Sequence, residues 1–154
     1  MRTPWDGAAV FVRGPVDHDG AALDVVAKAK GLHAPEACKV AHVYADPDVG
    51  CGYGVDLAGV SGATHRLCHF STVPFVVKGQ TLFEGSLIGF QGATGNATGE
   101  HTHWGVPIGD AEAVWRAAGV PEPWIQAGLV RAREERGIAL LICVTLAILV
   151  GLLG

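Results

Sequence analysis

Short runs of alternating or β-branched residues, punctuated by glycine, recur through the first two-thirds of the chain. Ala8-Ala-Val-Phe-Val-Arg13 predicts a first strand, and Lys39-Val-Ala-His-Val-Tyr44 alternates as a half-buried strand should. Gly54-Val-Asp-Leu-Ala58 and Thr64-His-Arg-Leu-Cys-His-Phe70 flank Gly59-Val-Ser-Gly62, which predicts a hairpin with a glycine-bearing loop. Leu87-Ile-Gly-Phe90 and His101-Thr-His-Trp-Gly-Val106 predict two more strands. Many short strands with turn residues between them predict a mostly β fold, a small antiparallel β-sheet domain over residues 1–109. The period then changes. Asp110 to Ala118 predicts a helix with Asp110 as N-cap, Pro121 and Pro123 interrupt it, and Trp124 to Arg136 predicts a second helix. Residues 110–136 are thus expected as a helical linker, with Trp124 either near a membrane interface or packed on the domain.

The pattern ends in an uninterrupted apolar run. Residues 138–154 carry no charged side chain and no polar stripe. As a helix they span about 26 Å, at the short end of what crosses a bilayer core of about 30 Å. The expectation is therefore a single-pass C-terminal transmembrane helix over residues 137–154, with a lipid bilayer as partner. Arg131, Arg133 and Arg136 lie just before it, which by the positive-inside tendency puts the domain on the cytoplasmic face of a host inner membrane, or on a virion membrane.

Composition changes this picture little. The chain is 49% hydrophobic and 17% charged, ample for a core and contrary to disorder. A net charge of −4 removes any overall electrostatic case for nucleic-acid binding. Met1-Arg-Thr-Pro-Trp-Asp-Gly7 lacks the apolar stretch of a signal peptide. Cys38, Cys51, Cys68 and Cys143 show no Cys-x-x-Cys spacing, which excludes a zinc ribbon. Free buried thiols are expected for the first three, with a Cys38–Cys51 or Cys51–Cys68 bridge as the alternative. Cys68 is expected to point away from the His69 side of its strand.

Seven histidines are the unusual feature. In His101-Thr102-His103, an extended chain projects both imidazoles from one face, so that one can bind a metal while the other acts on water or a developing oxyanion. On a helix the same spacing would separate them by about 200°. The glycine-rich stretch before His101 lacks the Gly-Lys-Ser/Thr ending of a phosphate loop. Its glycines suit tight turns that let an extended peptide approach.

Gly89-Phe-Gln-Gly-Ala-Thr-Gly-Asn-Ala-Thr-Gly-Glu-His-Thr-His-Trp104 closely resembles the lysostaphin/LytM-type zinc endopeptidases, in which a glycine- and threonine-rich loop leads into His-x-His. The matching residues are Gly89, Gly92, Thr94, Gly95, Asn96, Thr98, Gly99, His101 and His103. Upstream, Val76-Val-Lys-Gly-Gln80 with Glu84-Gly-Ser-Leu-Ile-Gly89, Arg66-Leu-Cys-His-Phe70, Gly52-Tyr-Gly-Val-Asp56, His33-Ala-Pro-Glu-Ala-Cys-Lys-Val40 and Leu23-Asp-Val25 resemble further family segments in the same order. The resemblance covers about residues 18–108 and implies a β domain of the LytM type.

It also implies a zinc site. Asp24 and His103 would be ligands, and His69 and His101 would flank the scissile carbonyl as general base and transition-state stabiliser. The family's first ligand stands in His-x-x-x-Asp, where this chain has Gly20. His18 is the nearest histidine, and a bulge through Asp19-Gly-Ala-Ala22 would return it to the metal. The alternatives are His42, which keeps the literal spacing to Asp46 but follows the Ala-Pro turn, or no third ligand at all. His65 shares a strand face with His69 if the strand is regular; it is expected to be an exposed residue, with a supporting role behind the metal ligands as the alternative. The implied activity is zinc-dependent hydrolysis of peptidoglycan peptide cross-links, with peptidoglycan peptide as substrate. That wall chemistry, the missing leader and the apolar tail together lead to the expectation of a phage lytic or virion-associated entry enzyme, with virion proteins as partners. The alternative is a catalytically degenerate module that binds cell wall or serves as a structural virion-membrane protein.

Overall fold

The computed structural model describes residues 1–12 and 21–129. The described residues include these elements: β1 Ala9–Val12, β2 Ala22–Ala27, β3 Gly31–His33, β4 Cys38–Ala45, β5 Tyr53–Gly59, β6 Thr64–Phe70, β7 Thr81–Leu82, β8 Leu87–Phe90, β9 Thr102–Ile108 and α1 Ala111–Ala117. Seven strands form one sheet in the order β1-β2-β9-β6-β5-β4-β7, and β3 pairs with β8 in a second. All these pairings are antiparallel. The mostly β architecture matches the expectation.

Strand β2 escapes any reading by alternation. Its Ala22-Leu-Asp-Val-Val-Ala27 is buried at nearly every position, since it pairs on both sides and is covered on both faces. A strand in that setting carries an almost continuous apolar run. One face of the large sheet supplies Leu23, Val25, Val55, Leu57, Leu67 and Trp104 to the core, all with essentially no exposure. Trp104 lies edge-on to both Trp5 and Trp115. The opposite face carries Asp24 and His103.

Asp110 caps α1 as expected, its side chain accepting the Ala113 N–H at 3.1 Å. Residues 122–129 are helical too. Trp115, Ile125 and Leu129 are buried in the main core, and Trp124 stacks on Phe11 at 5.8 Å between ring centroids. Trp124 is therefore a packing residue.

The expected membrane anchor requires correction. Among the described residues, no helix is long and apolar enough to cross a membrane. The apolar run 138–154 lies outside the described residues, as does the end of the helix expected to reach Arg136. No single-pass transmembrane helix is shown, and the membrane-anchored localisation derived from it is withdrawn.

Candidate functional site

The site forms where β2, β9 and β6 run side by side. Asp24 of β2 lies directly opposite His103 of β9, and His103 lies opposite Cys68 of β6. Residues paired in this way share a sheet face. His103 Nδ1 and Asp24 Oδ1 are 3.0 Å apart. His101 precedes β9 in extended chain, bridged to Gly92, and its Nε2 is 3.9 Å from the same Asp24 oxygen. The two-residue spacing thus puts both imidazoles on one carboxylate, as alternation requires. Asp24 is nearly inaccessible at 3% exposure, so its charge acts in a medium poorer than water.

His69 reaches this face by a different route. Alternation from His65 and Leu67 would send it into the core. Between the pairs Val55↔Leu67 and Tyr53↔Phe70, however, β6 advances one residue more than β5, so Cys68 and His69 together stand opposite Gly54. This is a β-bulge, and His69 adopts φ +67, the only positive value at a non-glycine among the described residues. Such backbone costs of order 1–3 kcal/mol and persists only where surroundings impose it. Phe70 takes the core position instead, and the His69 ring faces His101 and His103 at centroid distances of 4.7 and 6.0 Å.

Two backbone carbonyls orient the rings. His69 Nδ1 is 2.8 Å from Thr94 O, and His101 Nδ1 is 2.9 Å from Gly99 O. A carbonyl only accepts, so each Nδ1 carries the hydrogen and donates it. In the neutral ring the lone pair is then on Nε2. Burial pushes the His69 imidazole down to about 4; the Thr94 carbonyl opposes this, and positive charge at His101 or His103 adds to it. His69 is therefore neutral at pH 7.

The loop that supplies Thr94 is itself clamped. The Thr94 hydroxyl donates to Phe70 O at 2.8 Å and accepts the Tyr53 N–H at 3.0 Å. Gly95 N donates to Pro47 O and Asn96 N to Gly50 O. The approach is so close that a Cβ on Gly52 would lie 2.4 Å from Thr94, and one on Gly95 2.4 Å from Gly50 O. The glycines expected to let a peptide approach here let one loop approach another.

Asp24, His69, His101 and His103 come together. His18 lies outside the described residues. His42, the other ligand considered, is exposed on β4, three strands from β9 in the sheet, where it packs edge-on to Tyr44. His65 is fully buried rather than exposed, because the bulge separates its face from that of His69. Its Nε2 lies 2.7 Å from Glu36 Oε1, and its Nδ1 accepts the Trp104 indole N–H at 3.3 Å. Cys51 and Cys68 are joined in a disulfide, so free thiols are not what these two residues carry, and Cys68 faces the same side as His103. Cys38 is a free buried thiol as expected. The sequence offered no pointer to the Thr94 and Gly99 carbonyls beyond the glycine-rich loop itself.

This sheet, with one carboxylate and three imidazoles gathered on a single face, has the make-up of a small β peptidase domain. The profile of peptidase family M23 matches residues 16–114, and the chain belongs to that family. Among solved structures it is similar to a protein from Pseudomonas aeruginosa assigned to peptidase M23, at 33% identity and TM-score 0.56, over 70% of this chain and 44% of that one. It is also similar to a zinc-containing peptidase from Vibrio cholerae, at 29% identity and TM-score 0.54, over 70% of this chain and 36% of that one. Lysostaphin from Staphylococcus simulans shares the fold at 19% identity and TM-score 0.58, over 74% of this chain and 51% of that one. This chain thus spans about half or less of the length of each. No curated protein matches it.

Proposed function

We propose that this domain is a zinc-dependent endopeptidase that cleaves the peptide cross-links of peptidoglycan. The reading rests on one observation: the two imidazoles beside the Asp24–His103 pair both give their Nδ1 hydrogen to a backbone carbonyl, which leaves Nε2 of each as the nitrogen available to exchange a proton. Its support from relatives is the family match and the zinc-containing Vibrio cholerae peptidase.

The donor chemistry fits zinc as far as the described residues carry it. Zinc bonds to imidazole nitrogen and carboxylate oxygen of about 2.0–2.2 Å put two tetrahedral ligands a little over 3 Å apart. Asp24 Oδ1 and His103 Nδ1 are separated by 3.0 Å. Among the described residues no group of three or more such side chains is arranged to hold a metal. The proposed third ligand, His18, lies outside them. A zinc ion, when bound, supplies Lewis acidity toward the peptide carbonyl and toward water.

The chain's own residues do the rest. Asp24 and His103 would hold the ion. His69, neutral and fixed through Thr94, presents Nε2 to accept a proton from the attacking water. His101, fixed through Gly99, presents its Nε2 on the same carboxylate; once protonated, it donates to the oxygen that gains charge. No seryl or cysteinyl nucleophile is called for. The phage and virion expectations are not carried forward.

The test is zinc content together with release of soluble peptides from purified peptidoglycan. About one zinc per chain, lost together with peptide release in His103→Ala, supports the reading. Peptidoglycan binding without release, unaltered in His101→Ala, would make the domain a binding module instead.

A further inference from the structure

We infer that the Cys51–Cys68 disulfide is the positioning element for His69, so that hydrolysis requires the oxidised protein. The activity half of this rests on the function proposed above; the positional half does not.

Cys68 immediately precedes His69 within the bulge, and Cys51 lies just before β5, so the bond closes the open end of the β5–β6 hairpin. The carbonyl of Cys51 accepts the His69 backbone N–H at 2.9 Å. The His69 ring is held by Thr94 O, and the Thr94–Asn96 segment rests on residues 47–52 through the Gly95–Pro47 and Asn96–Gly50 backbone bonds. Both anchors of His69, backbone and ring, therefore belong to one cross-linked unit. A Cβ on Gly54 would lie 2.4 Å from Leu67 O and 2.7 Å from Cys51 Sγ, so the strand opposite the bulge is shaped to the bridge.

A left-handed histidine has no intrinsic preference for that backbone and keeps it only while neighbours impose it. Cutting the bridge removes the covalent constraint from residues 47–52 and, through them, from the carbonyl that fixes the ring. The core side of β6, with His65, Leu67 and Phe70, has no part in the bridge and remains packed.

The experiment reduces the folded protein with a water-soluble phosphine. The phosphine takes an oxygen atom from water to become its oxide, and Cys51 and Cys68 become two thiols. Measurements are zinc content, melting, peptide release from purified peptidoglycan, and carbethoxylation of His69 by diethyl pyrocarbonate, located by mass spectrometry. The expected result is retained zinc and cooperative melting, faster His69 modification, and kcat lower by roughly ten- to a hundredfold with a smaller change in KM. Reoxidation restores both. A Cys51→Ser/Cys68→Ser variant should match the reduced protein and ignore the phosphine, which separates this bridge from Cys38 and Cys143. If that variant does not fold, the reversible reduction decides alone. Unchanged His69 reactivity and unchanged kcat after complete reduction overturn the inference. An oxidised wild type that releases nothing from peptidoglycan defeats the proposed function, while His69 reactivity still decides the positioning.

Discussion

The two ends of β6 treat the same side chain in opposite ways. At one end His65 is sealed in the core with both ring nitrogens engaged, one on Glu36 and one by Trp104. Glu36 is in turn bonded by the Ser61 hydroxyl and backbone N–H. At the other end His69 has one nitrogen on a carbonyl and, among the described residues, no hydrogen bond at Nε2. Both imidazoles are pushed down by burial. Low exposure and a lowered pKa therefore do not separate a structural histidine from the one proposed as general base. What separates them is whether the second nitrogen has been given away.

The largest effect expected is at the His69 end. His69→Ala should lower peptide release by about 10²–10⁴-fold, the usual contribution of a positioned acid–base group. It should cost only about 1 kcal/mol of stability by denaturant titration, the net value of one hydrogen bond. His65→Ala should invert that pattern. It strands Glu36 in the core and should cost about 3 kcal/mol, with the rate per folded molecule near wild type. If His65→Ala abolished catalysis in a fully folded protein, the contrast between the two ends would fail.

Thr94→Ala should fall between them. It removes a hydroxyl bonded to Phe70 and Tyr53, costing about 1–2 kcal/mol. It loosens the carbonyl that orients His69, and a kcat loss of roughly tenfold is expected, as for other orienting partners.

The smallest and most gradual effect is that of pH on the structural end. His65 takes up a proton near 6.5 when unfolded but only at lower pH when folded. Its contribution to stability is thus complete above about 6.5 and declines as pH falls through the folded value. Burial raises the Glu36 carboxyl, but the bonds from Ser61 and His65 outweigh this and leave it below its usual 4.5. Its contribution is present above 4.5 and is likewise lost on acidification. The two add, so melting temperature should fall steadily below pH 6.5, and His65→Gln should flatten the upper part of that fall.

Much of the site was legible in the sequence because it depends on local periodicity. The His101-Thr-His103 pair needs only an extended chain, and Asp24 and His69 followed from ordered resemblance to the family. The remainder depends on registers that local pattern does not encode. The alternation of β6 runs straight through Cys68 and His69, and the extra residue becomes visible only against β5. That same slip hid the fate of His65 and the orientation of Cys68. Glu36 meets His65 across 29 residues of chain, and no spacing rule connects them. The apolar run 138–154, where hydropathy alone supported a membrane helix, lies outside the described residues, among which no helix is long and apolar enough to cross a membrane.

The strand order also governs when the site exists at all. Of the described strands β9 is the last to be synthesised, yet it lies between β2 and β6 and joins the two parts of the sheet. Asp24 and His103 are 79 residues apart along the chain. A nascent polypeptide can form the hairpin of β1 and β2 and the meander of β4 to β6 early, but neither contains a complete set of groups. Such long-range closure is slow, because loop entropy must be spent before the contacts form. Asp24, His69, His101 and His103 therefore come onto one sheet face only after β9 has been made.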